Sequence, residues 1–253
     1  MHHAHIDKYA NQSSHVHKID ARLKLLAVVL FTVLTVTVSI NKLPSLAWYA
    51  LFPFLLLVIG RIPIKFVLKQ VILVSPVILV FGFSCVIFER EPVYVSFGPF
   101  SGEIALGWVR FLSIACKFTI SAAALIALVS TTRFYDLLAA MQKLGVPKML
   151  VLQLGFLYRY IFLLIDKAGR MMRARSARKL CTFGFLYELR LAGSMIGSMF
   201  VSSIDMAERA GIAMEARGFT GTVHTLNTLR LKAVDAVFGF LVIVYFSLLL
   251  VIF

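Results

Sequence analysis

The sequence predicts an all-α fold: a polytopic helical membrane protein with long helices in the cytoplasm or along the membrane interface. Three observations carry this reading. Of the 253 residues, 60% are hydrophobic and 15% charged, which is too much apolar surface for a soluble globule to hide. Several apolar runs close to the length needed to cross ~30 Å of hydrocarbon hold almost no charge. Basic residues instead crowd between 133 and 217, a stretch with 13 of the 26 Lys and Arg against 6 acidic residues, the pattern of segments kept on the cytoplasmic side.

The elements follow in order. Residues 1–21 form a polar cytoplasmic tail, and no short apolar run with a small-residue cleavage site follows, so the first run is expected to remain as a membrane helix. Spans are predicted at 23–40, 45–60, 66–88 and 105–130, making a membrane domain of 22–130, and a last span fills 233–253. Arg61 and Lys65 mark one loop as internal, whereas the 89–104 loop, with Glu89, Glu91 and Glu103 against Arg90, is expected outside. The N-terminus and the 131–232 segment then lie in the cytoplasm. Within that segment, 149–165 and 191–206 are apolar enough to cross, but crossing would strand Arg170, Arg173, Arg175, Arg178 and Lys179 outside. Both are therefore expected to lie along or beneath the membrane, buried against neighbouring helices or the inner leaflet.

Several function classes find no support. The net charge of +14 sits beside apolar segments and accompanies no recognisable nucleic-acid motif, so membrane lipid rather than nucleic acid is the expected counterpart. Cys85, Cys116 and Cys181 are far apart and form no CxxC pair, so neither a disulfide nor cysteine-ligated metal is expected. No GxxxxGK[ST] loop occurs, so the chain has no evident means of hydrolysing ATP, and HExxH, GxSxG and EF-hand patterns are missing too. It reads as a non-enzyme. His2, His3, His5, His15 and His17 cluster near the start, but nothing orients them, and no metal site is expected there. Arg110 and Lys117, seven residues apart, share a helix face; Arg110 is expected to snorkel outward and Lys117 to pair inside the bundle.

Two helices of the basic segment carry the candidate site. Residues 170–179 are good helix formers without Gly or Pro, and their arginines wind around more than one face, so lipid phosphate cannot hold all of them. A second helix is predicted over 191–217, where Gly193 and Gly197, with Ser194, Ser198 and Ser202, offer a small face for close helix packing. Gly218 just after Arg217 predicts a left-handed helix cap, and the helix dipole alone would favour an arginine there. The dipole does not account for a second triplet, Ala174-Arg175-Ser176, that matches Ala216-Arg217-Gly218.

These triplets, the entry Asp20-Ala21-Arg22-Leu23-Lys24-Leu25, the Gly145-Val146-Pro147 turn and Tyr158-Arg159-Tyr160 together resemble the transmembrane T component of energy-coupling factor (ECF) transporters. The opening His2-His3-Ala4-His5-Ile6-Asp7 with Ser13-Ser14 is most similar to the cobalt-uptake, CbiQ-type members. The resemblance implies a multi-pass subunit of a bacterial or archaeal cell membrane. It would join two cytoplasmic ABC-type ATPases to a CbiM-like substrate-binding S component, with a small accessory membrane subunit. The two arginine motifs would dock in grooves of the ATPases, and ATP and Mg2+ would be bound there and not by this chain. Cobalt(II) is the implied cargo. The sequence departs from the commoner family pattern at Ala21, where proline often stands, and at Ser176, where glycine often stands, which leaves Arg175 expected mid-helix and Arg217 terminal. Three other readings stay open: a scaffold that holds ATPases without transmitting motion, a secondary carrier, which would need polar helix interiors, and a lipid enzyme built on Asp136, Asp166 and Asp205.

Overall fold

In a computed structural model of the chain, the described residues are Ser14 and residues 16–39, 45–88, 92–97, 100–178, 184–219, 221 and 233–252. The fold is all-α as the apolar runs predict. The helices are α1 (Ala21–Thr37), α2 (Leu46–Ile59), α3 (Ile64–Phe88), α4 (Leu106–Thr131), α5 (Phe134–Lys143), α6 (Lys148–Arg178), α7 (Phe185–Glu215) and α8 (Ala233–Ile252). The segment expected as an open external loop contains an antiparallel hairpin, β1 (Pro92–Phe97) paired with β2 (Phe100–Ala105). Val93, Tyr94 and Val95 supply the β-branched and aromatic character that lets so short a segment pair.

The chain divides into two compact units, residues 1–140 with 227–253, and residues 141–226. The first is built around Phe31, fully buried on α1. Its ring meets Phe52 of α2 at 4.6 Å and Phe246 of α8 at 6.1 Å between centroids, so three helices converge on one side chain. Tyr245 of α8 donates to the Trp48 carbonyl of α2 at 2.6 Å. α4 packs on α1, α2 and α3. It does so through small residues: Ala124 and Ala127 are buried, and a Cβ on Gly82 of α3 would stand 2.5 Å from the Phe111 ring of α4. Small residues bring helices close where burial of oil against oil gives no drive to associate.

The outside of this unit is as apolar as its centre. Leu73, Val80, Phe240 and Val251 stand exposed, Val251 at 87%, a surface that suits lipid and would aggregate in water. Thr32, Thr35 and Thr37 turn their hydroxyls onto carbonyls four residues back, which satisfies them where no water is at hand. α4, α6 and α8 are each long and apolar enough to cross a membrane, and α3, bent by 50° beyond Pro76, is a fourth if its halves count as one span. Proline removes a ladder hydrogen bond and clashes with the preceding turn, so the bend falls where the sequence dictates. The length test thus differs from the five predicted spans. α1 and α2 have 17 and 14 residues, about 25 and 21 Å at 1.5 Å per residue, while α6, expected beside the membrane, is long enough to span.

Three of the described helix ends share one device. At the end of α2 the Ile62 N–H donates to the Leu57 carbonyl and the Arg61 N–H to Val58, and the chain turns with Arg61 left-handed at φ 53° before Pro63. At the end of α5, Val146 and Gly145 make the same two bonds to Met141 and Gln142, with Gly145 at φ 99° before Pro147. Both are Schellman caps followed by a proline that starts the next helix. Glycine fills the left-handed position without cost in one; arginine fills it against the usual steric penalty in the other. Arg61→Gly is therefore expected to raise stability by about 0.5–1 kcal/mol, read as a higher thermal midpoint of the purified protein. Lys65 and Lys69 keep the local positive charge in that variant.

The second unit holds the end of α5 with α6 and α7, 31 residues each. The predicted 170–179 basic helix is the C-terminal third of α6, continuous with the apolar 149–165 stretch, because no proline interrupts the helix formers between them. Neither helix has a buried residue. They run antiparallel, tied by Arg175 to Glu188 at one level and Lys167 to Ser202 further along.

Candidate functional site

Arg175 lies in the last turn of α6, not mid-helix as Ser176 suggested, since α6 ends at Arg178. The Ser176 hydroxyl turns back onto the Arg173 carbonyl at 2.8 Å and so does not obstruct the helix end. Glu188, in the first turn of α7, makes an ion pair with Arg175, each side chain 28% exposed. Helix polarity favours both partners: a cation at a C-terminus and an anion at an N-terminus. Around the pair is a groove of about 470 Å³ between α6 and α7, lined by Met171, Ala174, Arg178, Leu191 and Met195 among others. Polarisable methionines beside a guanidinium make a surface that can accept a partner's mixed apolar and acidic side chains.

Arg217 closes α7 in a third Schellman cap. The Phe219 N–H donates to the Met214 carbonyl at 3.0 Å, the Gly218 N–H to Glu215 at 2.9 Å, and Gly218 is left-handed at φ 73°, as its position predicts. Ala216, Arg217 and Gly218 are all exposed. Since the cap uses only backbone groups of Arg217, the guanidinium is not needed to hold the turn. From Glu188, beside Arg175, to Arg217 is 29 residues, or about 43 Å along the helix. The antiparallel pair thus carries Arg175, on α6, at one end and Arg217, after α7, at the other.

Gly193 and Gly197 are exposed, with no atom within 4 Å of a Cβ built on either. Their small face is open to a helix approaching from elsewhere. Lys117, on α4, donates to the Val36 and Val38 carbonyls at 3.0 and 2.5 Å, so it closes the C-terminus of α1 and its partner is backbone rather than a carboxylate. Of the histidines, His2, His3, His5 and His15 lie outside the described residues, as does the opening motif; His17 Nδ1 meets the Ser14 hydroxyl at 2.7 Å. Asp136 falls in the first unit, while Asp166 on α6 and Asp205 on α7 belong to the second. No group of three or more His, Cys, Asp or Glu fit to hold a metal occurs among the described residues.

Sequence reasoning missed a buried polar node where α1, α4 and α8 meet. Asp235, 2% exposed, accepts the Asp20 backbone N–H at 2.8 Å, and the Asp20 carboxylate caps α1 through the Arg22 N–H at 2.9 Å. Lys24, 4% exposed, donates to the Thr131 carbonyl at the end of α4 at 3.0 Å. The family-like entry Asp20–Leu25 is therefore an anchor of the membrane unit. An ionisable residue at the head of an apolar run was the available signal, and Asp235 carried it.

Several helices apolar and long enough to cross a bilayer, with two long basic helices in the same chain, define a multi-pass membrane protein that carries a basic helical module. The chain belongs to the CbiQ family, described as cobalt transport protein, whose model matches residues 12–227. It is similar to transmembrane components of the energy-coupling factor type, as the motifs suggest. The energy-coupling factor transporter transmembrane protein EcfT of Bacillus subtilis is 27% identical over 231 residues, covering 85% of this chain and 84% of the relative. An uncharacterized protein of Methanocaldococcus jannaschii is 25% identical over 248 residues, 96% of this chain and 84% of its own. The nickel permease LarQ of Lactiplantibacillus plantarum is 34% identical over 91 residues, 36% of this chain and 33% of its own.

Proposed function

We propose that this chain is the coupling subunit of an ECF-type importer, taking two cytoplasmic ABC-type ATPases on Arg175 and Arg217 and passing their closure to a substrate-binding S component that carries cobalt(II). The observation that carries this is the placement of the two arginine triplets at opposite ends of the antiparallel α6–α7 pair, Arg175 beside Glu188 and Arg217 about 43 Å further along α7. That spacing suits two separate docking points better than one. A guanidinium offers a planar fork of donors to carboxylates or carbonyls in each ATPase groove. With α6 and α7 tied along their length through Lys167 and Ser202, movement of one end is passed along the pair, the requirement for a lever between two states. The chain itself hydrolyses nothing; ATP and Mg2+ belong to the ATPases, and cargo choice belongs to the S component. Its N-terminus and the α6–α7 pair lie on the cytoplasmic side. By the positive-inside rule, the helix ends gathered at the Asp20–Asp235 and Lys24–Thr131 contacts face the cytoplasm.

The test is purification of the tagged chain from native membranes in mild detergent, with identification of what accompanies it. An ATPase carrying a phosphate-binding loop and a small membrane subunit are expected, and the reconstituted complex should import Co2+ in preference to Ni2+ only with ATP. A chain that comes out alone, yet takes up ion under a gradient, would make it an autonomous carrier instead.

A further inference from the structure

The two docking arginines are not in equivalent states. Arg175 is engaged by Glu188, and both groups line the groove between α6 and α7. Arg217 is exposed and has no acidic partner among the described residues. A guanidinium already sharing a carboxylate must give up or share that contact before it can present its fork to another acceptor, whereas one held only by its backbone turn need not. Helix polarity reinforces the engaged state, since the pair joins the negative end of α6 to the positive end of α7.

Building on the coupling role proposed above, we propose that Glu188 is an internal ligand for Arg175 that an ATPase must displace. The chain then has one open docking arm, Arg217, and one latched arm, Arg175. Assembly proceeds through Arg217 first. The second ATPase completes the complex only by exchanging its own acceptor for Glu188, which also frees the α6–α7 contact at that end to move. A half-exposed ion pair sets the scale: removal of the latch is worth about a two- to fivefold change in affinity.

The test uses the full chain in detergent and the ATPase that accompanies it, purified separately and titrated. Arg217→Glu leaves the Arg175 arm to be read by itself, and Arg175→Glu leaves the Arg217 arm. Adding Glu188→Gln is expected to tighten binding about two- to fivefold in the first background and to leave the second unchanged. Glu208→Gln removes the same charge from an exposed position further along α7 and is expected to move neither arm. Glu188→Asp keeps a carboxylate and should retain most of the latch, which guards against reading a folding defect as tighter binding. If Glu188→Gln weakens the Arg175 arm, or leaves it unchanged, the latch is refuted. Equal tightening of both arms, matched by Glu208→Gln, would reduce the effect to general charge and also refute it. If even the unmodified chain binds no ATPase, the coupling role falls, and the latch with it.

Discussion

A chain carrying Arg175→Ala and Arg217→Ala is expected to insert and fold normally and to release its ATPases. Truncating an arginine buried and paired at an interface costs about 2–5 kcal/mol, much of it from the partner group left unpaired, or roughly 30-fold to a few thousand-fold in affinity per arm. The larger loss is expected at Arg217, which gives up no internal partner on docking; at Arg175 part of the cost is offset because Glu188 no longer competes. Insertion survives because α6 and α7 have no buried residues and the α7 cap is made by backbone groups. Lysine at both positions keeps the charge and loses the fork, so it should restore only a minor part of the affinity. The measurement is titration of purified ATPase against the detergent-solubilised chain, with the far-ultraviolet spectrum and thermal midpoint as controls. Full retention of ATPase and transport by the double variant would refute the docking assignment.

How much of this was legible in the sequence depends on the range of the interaction involved. Apolar runs announce their helices because each residue in lipid must be apolar on its own account, and the predicted runs for α3, α4 and α8 match the helices within a few residues. Gly145 and Gly218 were legible for a similar reason: a left-handed cap is a local demand that glycine meets. Arg61 shows the limit, since nothing in its side chain announces a left-handed residue. The continuity of α6 was missed because its apolar and basic parts look like different segments, although no proline interrupts the backbone between them and Gly169 at the junction is tolerated within the helix. The Arg175–Glu188 pair needs the antiparallel register of α6 and α7, which no local pattern encodes. The contact between Asp20 and Asp235 spans 215 positions and is invisible without the fold.

That long-range contact leads to the largest expected effect on stability. Asp235→Ala removes the acceptor for the Asp20 N–H inside a site almost closed to solvent, leaving Lys24, Asp20 and Arg22 with one negative charge fewer among them. A hydrogen bond to a charged group contributes about 1.5–3 kcal/mol, and stripping one partner from a buried charged set costs more, so about 2–4 kcal/mol is expected. In a protein of this size that lowers the thermal midpoint by roughly 5–15 °C. Asp235→Asn, which keeps an acceptor oxygen, should lose less than half as much, separating the hydrogen bond from the charge. Lys24→Met replaces a buried ammonium by an apolar chain of similar length and should cost less than its charge suggests, because the desolvation penalty goes with it. If these groups act as one node, the Lys24→Met/Asp235→Asn pair will be less destabilising than the sum of its singles; strict additivity would show that they do not share a network. The arginine variants and the node variants therefore part company. The first should lose ATPase at unchanged thermal midpoint, and the second should lower the midpoint while the folded fraction still binds ATPase with its original affinity.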